Sequence, residues 1–230
     1  MTRGLSFLII VSCCGTARAD LIANWTFETT VPTTVGPYAA ELGIGSASRG
    51  QSVGPLSGMA GVGNGSRRGW STEMWKIGDY YEFVVSTTGL TDIEISWDQT
   101  GDNAQAPRDF ALQYRSDSGF VTAYSYQIAQ LEWSRDAADP GSSFRFDFDA
   151  IPGVSHQAET VFRLVNTSGV SVTGGGVGAV GNVSIDNVLI SGTVMAQAMP
   201  EPTSLALTSL AAAAVYVRRI RRRQRVADCG

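Results

Sequence analysis

The chain has 230 residues, 43% of them hydrophobic and 17% charged, with a formal net charge of −4 and 26 glycines. That length holds one ordinary domain plus targeting segments, and the glycine content suits a turn-rich all-β body. With Arg3, Arg18 and the six C-terminal arginines set aside, together with Glu201 and Asp228, the body keeps nine basic and nineteen acidic residues, near −10. That balance argues against nucleic acid as a partner, because phosphates need Lys and Arg to displace their counterions.

Residues 1–19 read as a secretory signal peptide. Arg3 supplies the charged start, and Leu5 to Val11, extended through Ser12 and Cys14, supplies a short apolar run. Ala17-Arg18-Ala19 gives the small-x-small cleavage site, with Asp20 as the first mature residue. Two other readings stay open: Ile10-Val11-Ser12-Cys13 loosely matches a lipobox, and the same run would also suit a buried N-terminal strand. Of the three cysteines, Cys13 and Cys14 fall in this leader and Cys229 falls in the tail. Processing at both ends therefore leaves a body without disulfides, cysteine nucleophiles or thiolate metal ligands.

The body spans residues 20–193. Leu21 to Glu28 is predicted as a first strand, with Ile22, Asn24, Thr26 and Glu28 on one face and Ala23, Trp25 and Phe27 on the other. Thr29 to Gly69 is rich in Gly, Ser, Thr and Pro and is predicted to hold at most short edge strands, such as Tyr38 to Leu42. Stronger strand signals follow at Tyr80–Val85, Ile93–Asp98, Phe110–Arg115, Val121–Ile128, Phe144–Asp149, Thr160–Val165 and Val183–Ser191. Alternation puts Ile93, Ile95 and Trp97 toward the core, and places Phe110, Leu112 and Tyr114 together. No stretch of the body shows a helical period. Many short strands between turns predict an antiparallel β-sandwich of the jelly-roll type.

Catalytic chemistry finds little support. His156 is the only histidine, and no Gly-x-Ser-x-Gly elbow is present. The carboxylate pairs Asp147/Asp149 and Glu94/Asp98 read as the wet faces of strands, although such pairs serve glycoside hydrolysis elsewhere. Gly174-Gly175-Gly176, with Gly178 and Gly181, precedes a strand and lacks a lysine, so it reads as a flexible loop and not a phosphate loop. Trp70, Trp75, Tyr80, Tyr124, Tyr126 and Trp133 either stack on sugar rings or pack in the core.

Residues 194–230 form a linker and a tail with three parts in order. Pro200-Glu201-Pro202 fixes an extended backbone. An apolar segment over about 203–217 follows, which as a helix spans only roughly 20 Å and is short for a full membrane crossing. Arg218, Arg219, Arg221, Arg222 and Arg223 then act as a basic stop that snorkels and stays cytoplasmic. This order resembles the PEP-CTERM sorting signal of bacterial exported proteins, from which Val226 to Gly230 is an extra extension. The resemblance implies processing by an exosortase, retention in the inner membrane before it, a link to exopolysaccharide, and a final place in the cell envelope, at the outer surface or outside the cell.

The body resembles jelly-roll modules found ahead of such tails and, more distantly, carbohydrate-binding modules. Trp25-Thr26-Phe27-Glu28, Phe110-Ala111-Leu112-Gln113-Tyr114 and Ile185-Asp186-Asn187-Val188 carry that resemblance. It implies that Glu28 and Asp186 hold a structural calcium ion, with backbone carbonyls completing the shell. The other reading leaves Glu28 solvated and Asp186 capping a strand end. The resemblances together imply a non-catalytic exported surface or matrix protein, or a calcium-stabilised carbohydrate-binding module, with a secreted hydrolase as the third and least supported reading.

Overall fold

The computed structural model describes residues 19–30, 32–50 and 58–195. The leader, including Ala17, and the sorting tail with Pro200, Glu201, Pro202 and the arginine cluster lie outside the described residues, whereas Ala19 opens the first strand. The chain divides into two units, Met1–Val194 and Met195–Gly230. No helix among the described residues is long and apolar enough to cross a membrane.

Among the described residues, thirteen strands follow one another: β1 Ala19–Trp25, β2 Tyr38–Ala39, β3 Leu42–Gly43, β4 Gly45–Gly50, β5 Gly58–Gly61, β6 Gly69–Thr72, β7 Tyr80–Val85, β8 Leu90–Gly101, β9 Asp109–Ser116, β10 Gly119–Gln127, β11 Ser143–Asp147, β12 Thr160–Asn166 and β13 Val183–Val194. Two 3₁₀ turns, Pro140–Ser142 and Pro152–Val154, are the helical elements among the described residues. The strands form two antiparallel sheets, so the protein is an all-β sandwich. Sheet A runs β11-β8-β13-β1-β3, with β6 also on β13 and β5 on β6, and sheet B runs β10-β9-β12-β7-β4-β2.

Period-two alternation decides which side chains enter the core. Ile93, Ile95 and Trp97 of β8 face Tyr81, Phe83, Phe110, Leu112, Phe162 and Leu164 of sheet B, all buried. Rings bridge the sheets: Trp25 lies 5.2 Å from Phe83, and Trp70 lies 5.1 Å from Tyr81. Each such ring contributes about 1.5–3 kcal/mol by leaving water. The Tyr81 hydroxyl, sealed in this core, donates to Val183 O at 2.9 Å and lies 2.7 Å from Thr72 Oγ1, which offsets the cost of burying it.

The first strand departs from simple alternation. A register shift between Leu21 and Ala23 buries both Ile22 and Ala23. Regular strand ends at Trp25, and Phe27 takes a φ of 55° to turn its ring into the core. Among the described residues between Thr29 and Gly69, β2 and β3 lie at sheet edges and β4 pairs between β7 and β2. Gly43 makes this possible: with φ at +81°, a Cβ there would lie 2.0 Å from Ile22 O.

One feature of sheet A prepares a site. Along one edge of β13, β6 pairs with Val183–Ile185 and β1 pairs with residues from Val188 onward. Asp186 and Asn187 fall between these two partners. Asn187 has a φ of 51°, and the β13–β8 register also shifts there. The loop between β5 and β6 fills this gap.

Candidate functional site

The two residues expected to share an ion are brought to one loop, Gly63 to Arg68. Asp186 is fully buried. Its Oδ2 accepts the Asn64 N–H at 2.9 Å and the Ser66 hydroxyl at 2.8 Å, and its Oδ1 accepts the Asn187 N–H at 2.7 Å. Glu28 is half-buried, and its Oε1 accepts the Arg68 N–H at 2.6 Å. The loop is held from its far side as well: Asn64 Oδ1 accepts the Asp139 N–H at 2.6 Å, and Asn64 Nδ2 donates to Asp139 O at 3.1 Å.

The electrostatics of the gap are unbalanced. Burial pushes the Asp186 carboxyl up to about 7, hydrogen bonds from Ser66, Asn187 and Asn64 oppose that rise, and Asp98 adds to it. Asp98 is itself buried, accepting from Ser143 Oγ at 2.5 Å and Asn187 Nδ2 at 2.8 Å. This corrects the expectation that Glu94 and Asp98 share a wet face. Glu94 pairs with Arg145, while Asp98, further along the same face, lies beside Asp186 and is covered by Asn187 and Ser143.

Gly63 shows what surrounds the gap. A Cβ on it would lie 1.9 Å from Ser66 Oγ, 2.2 Å from Arg68 O and 2.4 Å from Asp186 Oδ2. Hydroxyl, carbonyl and carboxylate oxygens therefore crowd close against the Gly63 backbone, and oxygens of these kinds are the ligands a hard cation such as calcium takes. Among the described residues no cluster of three or more His, Cys, Asp or Glu stands ready for a metal, so a site here would draw on Ser66 Oγ and the Arg68 carbonyl. Glu28 would complete it from the neighbouring turn.

A second constellation occupies the outer face of sheet B. On β7, Tyr80 and Glu82 point outward while Tyr81 and Phe83 point inward. On β12, Arg163 points outward between buried Phe162 and Leu164. Register sets Glu82 and Gln113 directly beside Arg163 on its two neighbouring strands. Arg163 Nε donates to Glu82 Oε2 at 2.7 Å. Its guanidinium carbon lies 3.9 Å from the Tyr80 ring centroid and 3.7 Å from that of Phe120. The planar cation is thus held between two rings and anchored at one nitrogen.

The stack is tightly fitted. A Cβ on Gly50 would lie 2.1 Å from Tyr80 Cζ, so only glycine opposite Tyr80 lets that ring lie down. Gln113 Nε2 donates to Thr122 Oγ1 at 3.3 Å on the same face. Among the described residues, Nε is the Arg163 nitrogen that has a hydrogen-bond partner, which leaves the two terminal nitrogens without one. The face therefore offers fixed donors, a carboxylate acceptor and ring edges to a polar ligand.

Of the aromatics considered for sugar stacking, Trp70, Trp75, Tyr126 and Trp133 are buried. They pack in the core or under loops, as small sandwich cores require. Tyr124 is 37% exposed and stacks between Tyr126 and Phe146. Tyr80 alone of the six joins the Arg163 stack. Phe120, Glu82 and Arg163 were not singled out from sequence. The outward direction of Glu82 and Arg163 is legible in the alternation of β7 and β12, but the place of Phe120 on β10 and the registers that align the three are not. His156 is exposed in a loop, Asp147 and Asp149 are exposed, and Gly176 pairs with Val170 within an ordered loop.

No family model and no curated protein matches the chain. Among solved structures it is similar to the K3 cleaved adhesin domain of Lys-gingipain from Porphyromonas gingivalis W83, at 13% identity and a TM-score of 0.44, covering 75% of this chain and 100% of that one. It is similar to the xylan-binding module CBM15 at 12% identity and a TM-score of 0.43, covering 67% of this chain and 92% of that one. It is also similar to the CBM22-1–CBM22-2 tandem domain of Paenibacillus barcinonensis Xyn10C, at 15% identity and a TM-score of 0.44, covering 74% of this chain and 49% of that one. At such low similarity, the chain's own side chains carry the functional assignment.

Proposed function

We propose that the sandwich is a non-catalytic polysaccharide-binding module, of jelly-roll type, in an exported bacterial surface or extracellular-matrix protein. The observation that carries this reading is the stack of Tyr80, Arg163 and Phe120 on the outer face of sheet B. Sugars present hydroxyls around a ring with apolar C–H faces. A surface that combines fixed guanidinium donors, oriented by Glu82, with aromatic rings meets both parts of that chemistry. Glu28, Asp186, Ser66 and the Arg68 carbonyl are proposed to hold a structural calcium ion that fastens the loop between β5 and β6.

The address comes from the two ends. Cleavage after Ala19 would leave β1 intact except for its first residue. The Pro200-Glu201-Pro202 motif, the short apolar segment and the arginines from Arg218 on would hold the protein in the inner membrane until an exosortase processes it. Its place after processing is the envelope, the outer surface or the medium, where exopolysaccharide is its partner. Persistence of the uncleaved full-length chain at steady state in a cell with an active exosortase counts against this handling route.

Affinity electrophoresis of the full chain through gels that contain soluble polysaccharides tests the binding reading. Retardation by at least one polysaccharide, abolished by Phe120→Ala in a protein of unchanged circular dichroism, supports it. Unretarded migration in every gel overturns it.

A further inference from the structure

The Arg163 stack also bears on which class of polysaccharide the face takes, an inference that rests on the binding reading above. A guanidinium whose carbon lies within 4 Å of two ring centroids has little freedom to move, so its donors are held in a narrow range of directions. Glu82 occupies Nε at 2.7 Å, and the pair of terminal nitrogens has no acceptor among the described residues. The Arg163 side chain is 24% exposed, so part of it reaches solvent.

The geometry points to a carboxylate as the group this open end receives, and hence to a uronate-bearing, acidic polysaccharide as the ligand. Two parallel N–H groups in a fixed fork match the two oxygens of a carboxylate, a fit that a single sugar hydroxyl does not reproduce. Other positively charged side chains on this face are already engaged. Arg115 is paired with Glu159 through one terminal nitrogen and keeps donors as well, but Arg163 is the cation of the face that two rings hold in place among the described residues. Tyr80 and Phe120 fix the cation and shield it from water, so little ordering entropy remains to be lost when a ligand arrives. Gln113 and Thr122 lie alongside and would meet the hydroxyls of the same sugar or the next. The acidic body opposes such a ligand at long range, and physiological salt screens that repulsion within about 8 Å. The local fork thus sets selectivity while the body sets a modest affinity.

Polygalacturonate, its fully methyl-esterified form and a neutral xylan, each titrated into the full chain, separate this claim from the reading it rests on. The ester keeps the backbone and removes the charge. Expected is binding of polygalacturonate about tenfold or more tighter than of its ester, lost to a similar degree in Arg163→Gln. Binding should also weaken as salt rises to about 1 M, where the screening length is about 3 Å. Arg163→Lys keeps the charge without the planar fork and should recover only part of the loss. Equal binding of acid and ester, lost in Phe120→Ala, overturns the acidic class and leaves the binding face standing. No binding of any of the three overturns the proposal of an acidic ligand and counts against the face itself. A melting temperature for each variant within a few degrees of the parent shows that the sandwich is intact.

Discussion

Arg163 and Glu82 stand opposite one another on adjacent antiparallel strands, joined at 2.7 Å from Nε to Oε2, on the outer side of a sheet whose inner side is the core. The pair is partly exposed, and pairs of that kind contribute about 0–1 kcal/mol to stability. Its work is therefore better read as orientation than as support. Glu82→Gln should leave the melting temperature nearly unchanged and should strengthen binding of polygalacturonate, because the competing carboxylate is gone. Titration of both proteins at low salt checks this. Weaker binding of the acidic polymer by the variant would mean that Glu82 itself contacts ligand.

Gly50 offers a probe of the same surface from below. Adding a methyl group there drives into the Tyr80 ring at 2.1 Å, on the outer side of the sheet and away from the core. Gly50→Ala should displace Tyr80, weaken polysaccharide binding several-fold and cost about 1–3 kcal/mol from overpacking. A binding isotherm and a denaturant melt on the same preparation measure the two effects together.

The proposed ion site makes a separate prediction. If calcium holds the loop between β5 and β6, EDTA should lower the melting temperature, and added calcium should restore it in a concentration-dependent way. Gly63→Ala places a methyl group among Ser66 Oγ, Arg68 O and Asp186 Oδ2 and should abolish that response. A melting temperature that EDTA does not move would remove calcium from the account and leave the gap as a hydrogen-bonded clasp.

Asp186 adds a pH signature. Its folded carboxyl is raised to about 7 by burial, against about 3.9 in an unfolded chain. The folded state thus holds this proton more tightly. Its stabilising contribution is full below about pH 4 and is lost as pH rises through about 7. In EDTA, the stability difference between the parent and Asp186→Asn should shift in that sense across this window. In calcium the carboxylate is held ionised, and the loss should disappear. Melts of both proteins at several pH values, with and without calcium, measure it.

The two-layer fold was largely legible because alternation in β7 and in β8 from Ile93 to Trp97 is strict, and period two translates directly into inside and outside. Ile93, Ile95, Trp97, Phe110 and Leu112 are buried as their spacing predicts. Of the short strands, β2 and the start of β3 fall on the edge strand expected at Tyr38 to Leu42, whereas β4 and β5 were not legible, since they carry no apolar alternation and are ordered by pairing with distant chain. Glu28 and Asp186 were named from sequence, yet the loop from Gly63 to Arg68 that joins them was not. Apart from the Ser66 hydroxyl and the Asn64 amide, its residues act through backbone N–H and carbonyl groups, which leave no mark in residue type. Arg163 escaped for a related reason. Its partners Tyr80, Glu82 and Phe120 come from two other strands, and the register that gathers them is a tertiary fact.

The central claim is that the outer face of sheet B binds polysaccharide, and a glycan-array screen of the full chain beside its Tyr80→Ala/Phe120→Ala variant tests it most directly. The account predicts a defined set of bound glycans for the parent, enriched in uronate-bearing chains, and loss of that set in a variant that melts as a folded protein. An identical pattern from both proteins, or no bound glycan from the parent, would contradict it.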